Sequence, residues 1–390
     1  MHPTFPQETF LPARILFKMG GLTDLAMETA EFGTRGIIIH GTSFEINGLK
    51  EKVADDFKRL GLEASFFCRP QGLNSQSGPS LADSQAGRPQ GEPTLDEISA
   101  VIVKGRALKI DWIIGLGGGS VLDLAKASAG LFNAKEKPSF YQEGGVLHEP
   151  GIPFLAVPTT AGSGSEASPN SVIINPEKKV KLSIRQKDFL ARKVILDPDL
   201  LKGLPFAVMC HSGMDAWVQA YESFISKNST WFSENFALKA IQLISRHLVP
   251  ALNAGRDEDL SGLMLGSFFS GLAFSHSRLG VIHGLAHPLG VLYNVPHGLI
   301  CSLCFAPSIK LNLEAMGNQK YAIMSQAVGM DLLQKVHELQ KTLKIISPFK
   351  GKPLLEKEKI IRETLGSGST AANPKSITRE DVEYLLRELF

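Results

Sequence analysis

Cysteine, charge imbalance and long apolar runs are all scarce in this 390-residue sequence. Its four cysteines, Cys68, Cys210, Cys301 and Cys304, are too few and too uneven to form a disulfide framework, which fits a reducing compartment. Lys plus Arg (41) nearly balance Asp plus Glu (39), so nothing advertises nucleic acid, an anionic membrane or a strongly charged partner. No uninterrupted apolar run approaches a membrane span, and no basic segment followed by an apolar core opens the sequence; we expect a cytoplasmic protein. No internal repeat is evident. These absences leave a small molecule as the expected partner.

What is present is an alternation of short apolar strands and helices. "GIIIHGTSF" from Gly36 reads as a strand buried on both faces, "LKEKVADDFKRLGL" as a helix, and "LEASFFC" as a further apolar stretch. From Arg69 to Gln90 the composition turns to Gly, Ser, Pro and Gln without periodicity, predicting a mobile surface loop. "LDEISAVIVKGRALK" is helical, "DWIIGLGGGS" is a strand entering a glycine turn, and "VLDLAKASAGLF" is a helix. "PFLAVPTT" and "SVIIN" add two strand-like runs, and the whole pattern predicts a parallel sheet covered on both sides. Beyond "VILDPDLLKGLP" long helical stretches take over. Length alone favours two domains, and we place them at 1–198 and 199–390.

Two turns have the chemistry of an anion cradle. Gly117, Gly118 and Gly119 close a strand and Ser120 starts a helix, so backbone N–H groups and the positive helix end converge where a pyrophosphate fits. The sequence lacks both the GxGxxG fingerprint and the Lys-Ser/Thr of a P-loop, so a plain strand-to-helix turn is the competing reading. "VPTTAGSGSEAS" is a second such turn, from Thr159 to Ser168, rich in hydroxyls and free amides.

The helical half carries a different signal. In "MDAWVQAYESF", Asp215 and Gln219 share a helix face, and "VIHGLAHPLGVLYNVPHGL" brings His283, His287 and His297 together. Helical spacing places His283 over His287, although Pro288 disfavours helical geometry at His287 and a kink or break is possible there. An acid with several histidines in apolar sequence suggests a metal. Cys301 and Cys304 form a lone CxxC among apolar neighbours, read as a buried structural pair over a redox or zinc role.

These segments, with "RILFKMGGL", "GEPTLDEI" and "NPKSITREDVEYLLREL", resemble the iron-containing (group III) alcohol dehydrogenase family along nearly the whole chain. The resemblance implies an α/β plus all-α fold of the dehydroquinate synthase-like kind, with a Rossmann-like N-terminal dinucleotide-binding domain and a helical C-terminal domain. It also implies hydride transfer between NAD(P) and a small alcohol or aldehyde in the cleft between them, and a homo-oligomer is expected. By matching position, Gly117, Gly118, Gly119, Ser120, Asp123, Thr159, Thr160 and Lys181 look like cofactor contacts. The ligand positions fall on Asp215, Gln219, His283 and His297, and His287 matches the histidine beside the nicotinamide.

Gln219 is the departure, because a neutral amide oxygen is a weaker donor to Fe²⁺ or Zn²⁺ than an imidazole. Asp215, His283 and His297 can hold an ion with Gln219 or water completing the shell; otherwise protonated His287, with another histidine, must stabilise the developing charge. Two further readings stay open. A metal-independent maleylacetate-type reductase needs basic residues in the cleft, and Arg278 is the one candidate in sight. A non-catalytic cofactor-binding or assembly protein is the other, against which the surviving histidines and both glycine-rich turns argue.

NAD-preferring relatives often end the first nucleotide-domain strand on an acid, and here Gly41 matches that position, with Thr42 and Ser43 offering hydroxyls and amides to phosphate. His40 adds positive charge if protonated. We therefore expect NADP(H) to be accepted and even preferred, and Gly41→Asp to lose NADPH use by about tenfold in kcat/KM with one aldehyde. Strong discrimination against NADPH in the parent overturns the assignment of Gly41.

Overall fold

The three isoleucines of strand β2 (Arg35–Gly41) show how the sheet is buried on both faces. The computed structural model describes residues 6, 8–69, 91–178 and 180–390. Within it Ile37 and Ile39 point into one apolar cluster while Ile38 points into another, because successive side chains of a strand alternate faces. The first cluster lies under helices α4 (Leu95–Leu108) and α5 (Gly119–Gly130); the second lies under α1 (Leu25–Thr29) and α3 (Leu49–Arg59). Short helices α2 (Thr42–Ile46) and α6 (Pro138–Gln142) complete this half.

Six strands form one parallel sheet in the order β1 (Arg14–Phe17), β8 (Lys193–Leu196), β5 (Phe154–Pro158), β4 (Trp112–Gly117), β2, β3 (Glu63–Arg69). From β2 the chain winds outward to β3, and from β4 it winds the other way to β5. The carboxyl ends of β2 and β4, at Gly41 and Gly117, therefore flank the switch point where open α/β sheets place ligands.

Two expectations are corrected here. "SVIIN" does not join the parallel sheet: β6 (Asn170–Asn175) pairs antiparallel with β7 (Val180–Arg185) in a separate ribbon. Residues 159–169 are too short a connection for the helical crossover that a parallel neighbour of β5 needs. Arg69, expected to open a loop, ends β3 as a buried residue and donates to Glu97 Oε1 (3.0 Å) and the Gly91 carbonyl (2.8 Å). The remainder of that predicted loop, 70–90, lies outside the described residues.

From Phe206 onward every described element is helical: α7 (Phe206–Ile225), α8 (Trp231–Ala254), α9 (Asp257–Ser277), α10 (Val281–Tyr293), α11 (His297–Val328), α12 (Leu332–Thr342), α13 (Lys357–Leu365), α14 (Gly368–Ala371) and α15 (Arg379–Leu389). By length and apolarity α11 passes for a membrane span, yet it is broken at Gly317 and packs against α7, α10 and α12. Helix α10 runs through Pro288 without interruption, so His287 keeps its helical place over His283.

The last strand is tied to the first segment through Asp197, a fully buried carboxylate that accepts from the Gly20, Leu22 and Asp199 N–H groups at 2.8, 2.9 and 3.0 Å. Asp197→Ala orphans all three donors, and we expect a loss of about 3 kcal/mol in urea unfolding. A loss below about 0.5 kcal/mol, the level of an ordinary surface change, sinks this assignment.

Candidate active site

Three helices contribute side chains at helical spacing, three from α7 and two each from α10 and α11. On α7, Asp215, Gln219 and Glu222 occupy one buried face; α10 supplies His283 and His287; α11 begins at His297 and carries Cys301 one turn later. The three-residue turn between α10 and α11 explains the convergence: Asn294 adopts a left-handed conformation (φ 53°) and Pro296 starts the next helix, sending His297 back beside His283. Gly298 lets α11 reach α7, since a Cβ there would lie 2.2 Å from the His211 carbonyl oxygen.

Glu222 orients this cluster. Its Oε1 accepts from the Ile282 N–H at 2.7 Å, and its Oε2 accepts from His283 Nδ1 at 2.6 Å. A carboxylate that only accepts fixes a proton on Nδ1, so Nε2 faces inward and offers its lone pair when an ion, rather than a second proton, occupies that side. His283 Nε2 and Asp215 Oδ1 then face each other at 3.4 Å, both buried and neither with a hydrogen-bond partner. His297 Nε2 lies 3.7 Å from the same Asp215 oxygen.

Electrostatics agrees that a cation belongs here. Burial opposes charging His283, but the Asp215 and Glu222 carboxylates outweigh it and push its pKa up to about 9. Burial likewise opposes ionisation of Asp215, yet the neighbouring histidines hold its carboxyl below the ordinary range. Burial, Lys181 and His283 together keep His287 neutral, well below the usual imidazole value. The metal-free alternative, which asks for a protonated His287, is disfavoured by its surroundings.

The residues fit a divalent ion. Ligands about 2.0–2.3 Å from a tetrahedral centre stand about 3.3–3.8 Å apart. The 3.4 Å and 3.7 Å separations at Asp215 fall in that range. Gln219, expected among the ligands, is turned away from that role: its Nε2 donates to Asp215 Oδ2 (3.1 Å) and its Oε1 accepts from the Ser270 hydroxyl (2.9 Å). The acceptor end of the amide is occupied, and the end facing the cluster has no lone pair.

The cradle forms at the carboxyl end of the sheet, after β4. Gly118 precedes α5, whose first N–H groups lack partners within the helix, and Gly119 packs so closely on the second turn that a Cβ would meet Ser163 Oγ at 2.6 Å. Thr160 lies against Gly118, and the Thr159 N–H bonds the Gly117 carbonyl at 3.0 Å. Asp123, expected to touch a cofactor, is buried and accepts from the Ser165 hydroxyl (2.5 Å) and the Val172 N–H (2.9 Å), so it braces the second turn. Lys126 completes the brace by donating to the Ser165, Ser168 and Asn170 carbonyls. The same turn packs Gly162 on Ser212 of α7, one helical turn before Asp215, so one loop touches both cradle and cluster.

Between the β6–β7 ribbon and helices α10, α13 and α14 opens a cavity of about 710 Å³, lined by His287, Lys181 and apolar residues such as Phe274, Pro288 and Leu292. Lys181 reaches Glu92 Oε1 at 2.8 Å. Gly41 caps α2, while Ser43 and Glu45 follow on it; Glu45 is engaged by Lys50 at 2.6 Å. His40 is fully buried and held neutral by desolvation, so it supplies no charge to a phosphate.

Sequence reasoning did not single out Glu222 or Arg185. The signal for Glu222 was present: positions 215, 219 and 222 carry Asp, Gln and Glu at helical spacing in an otherwise apolar helix.

Comparison with known proteins identifies the family. Residues 80–198 match the family model described as iron-containing alcohol dehydrogenase, and residues 209–390 match that of the C-terminal region of the Fe-containing alcohol dehydrogenase family. The chain is 24% identical over 393 residues to the NAD-dependent methanol dehydrogenase of Bacillus methanolicus, covering 97% of this chain and 98% of that one. It is 29% identical over 292 residues to the lactaldehyde reductase of Escherichia coli (strain K12), covering 70% and 76%. The solved iron-containing alcohol dehydrogenase of Thermococcus thioreducens superposes with a TM-score of 0.84 at 25% identity, covering 98% and 99%. The chain belongs to the iron-containing alcohol dehydrogenase family and is an oxidoreductase acting on CH–OH groups.

Proposed function

We propose that the protein is an NAD(P)-dependent alcohol dehydrogenase or aldehyde reductase in which Asp215, His283 and His297 hold a divalent ion. The observation that carries this reading is the pair of buried, unpartnered atoms, Asp215 Oδ1 and His283 Nε2, aimed at one point. When bound, the ion supplies Lewis acidity toward a substrate oxygen and the dinucleotide supplies or accepts hydride. The α5 N-terminus and the Thr159–Ser168 turn bind and orient the cofactor's phosphates, with residues 1–198 as its domain and 199–390 as that of metal and substrate. His287, neutral and on the cavity wall, accepts or returns the alcohol proton at its imidazole. The apolar lining excludes water from the reacting carbon. Acceptance of NADP(H) rests on Gly41, which ends β2 without an acidic side chain of its own, and on Lys50, which engages the neighbouring Glu45 carboxylate.

Chelation should abolish aldehyde reduction, and added Zn²⁺, Fe²⁺ or Co²⁺ should restore it. Gln219→His should tighten ion binding by about tenfold or more. Full activity in verified metal-free protein defeats the metal-assisted reading.

The basic residues that an acid-bearing substrate requires are more numerous than the sequence revealed. Lys181, Arg185, Arg278, Lys359 and Arg362 line the cavity against Glu356 and Glu363. Arg185 donates to the Ser275 carbonyl, and both burial and neighbouring Arg278 pull its pKa down. Arg278 has no acidic partner among the described residues, and its backbone (φ 64°, ψ −177°) lies in a region nearly exclusive to glycine. Strain of about 1–3 kcal/mol kept at an unpaired cation on a cavity wall favours a substrate with an anionic group. This supports the acid-bearing half of the maleylacetate-type reading without its metal independence.

Arg278→Gly should therefore stabilise the protein, by up to about 1–3 kcal/mol, while raising KM for a carboxylated aldehyde such as succinic semialdehyde at least about tenfold over that for propanal. Equal effects on both aldehydes remove the anion-binding role.

A further inference from the structure

The ligand missing at Gln219 is matched by a donor on another helix. Cys301 is fully buried, one helical turn beyond His297, with its Sγ 3.6 Å from His297 Nε2. Donor atoms of Asp215, His283, His297 and Cys301 all lie within 4.8 Å of one another. The 3.6 Å contact is again a tetrahedral edge, within the range of about 3.3–3.8 Å expected around a first-row ion. The alternative, Gln219 as fourth ligand, requires turning its amide. That turn reverses the Ser270 bond, making the hydroxyl the acceptor, and sets a carbonyl oxygen against Asp215 Oδ2, where the amide nitrogen now sits at 3.1 Å. Cys304 is not part of the cluster.

We propose that Cys301 is the fourth protein ligand, making the site a carboxylate, two imidazoles and a thiolate. The inference rests on the metal-binding reading above and specifies its donor set. On binding, the sulfur–metal bond forms as the thiol proton leaves to solvent; no electron is transferred. A thiolate softens the site, so Zn²⁺ and Co²⁺ should be held in preference to Mg²⁺ and Mn²⁺. The CxxC, expected to be a buried structural pair, is then divided: Cys301 serves the metal and Cys304 the core.

Co²⁺ titration of the metal-free full-length protein tests this by absorption, independently of turnover. One equivalent should develop both visible tetrahedral bands and a near-ultraviolet thiolate-to-cobalt charge-transfer band. Cys301→Ser should lose the charge-transfer band and bind at least about tenfold more weakly, whereas Cys304→Ser should keep both. Adding Gln219→His to Cys301→Ser should return the affinity but not the band, which also shows that the site survives the cysteine change. Visible bands without charge transfer in the parent, or a band that persists in Cys301→Ser, overturn Cys301 as ligand and leave the metal reading standing. Absence of Co²⁺ binding in the parent overturns both.

Discussion

The helical half of the site depends on one buried carboxylate. Glu222 receives the Ile282 N–H at the start of α10 and the Nδ1 proton of His283, so one side chain fixes where the helix begins and which imidazole nitrogen carries a proton. At 1% exposure, its charge is poorly screened. The two bonds satisfy that charge, and the constraint passes to Nε2, which must turn toward Asp215. The tight turn at Asn294 then returns His297 to the same place, and Gly298 permits the contact. Each later element of the cluster is positioned by the one before it.

A second device joins the two halves of the protein. The Thr159–Ser168 turn is clamped to α5 by Asp123 and Lys126 and touches α7 through Gly162. Lys126 ends among three carbonyl oxygens with no exposed surface, which satisfies an ammonium that burial otherwise penalises. The cradle at the sheet's carboxyl end and the cluster on the helices are thus referenced to one loop.

Much of this was legible in the sequence, and the rest was hidden for physical reasons. Periodicity located β2, β4 and α5 because each has a strong local pattern, and spacing put Asp215, His283 and His287 on shared helix faces. "SVIIN" went wrong because strand propensity says nothing about partner, and the short connection after β5 was given no weight. Arg185 lies on the ribbon that results, so its approach to Arg278 followed from a pairing that local pattern did not contain. His40 looked like a strand-end polar residue, yet the aromatic rings of Phe44 and Phe66 close over it. Cys301 was judged by its apolar neighbours in sequence; its neighbours in space include the ligand cluster. For Asp123, local pattern does not show the bonds to Ser165 and Val172 through which it braces the second turn.

The approach of Gly119 to Ser163 bears on how this protein can drift over evolutionary time. A methyl group at 119 would stand 2.6 Å from the Ser163 side chain, so a side chain is gained at 119 only if Ser163 shrinks or moves. Two segments more than forty residues apart behave as one heritable unit. A chimera that takes β4 and α5 from one relative and the Thr159–Ser168 turn from another inherits a mismatch at that contact, however well each piece folds in its own parent.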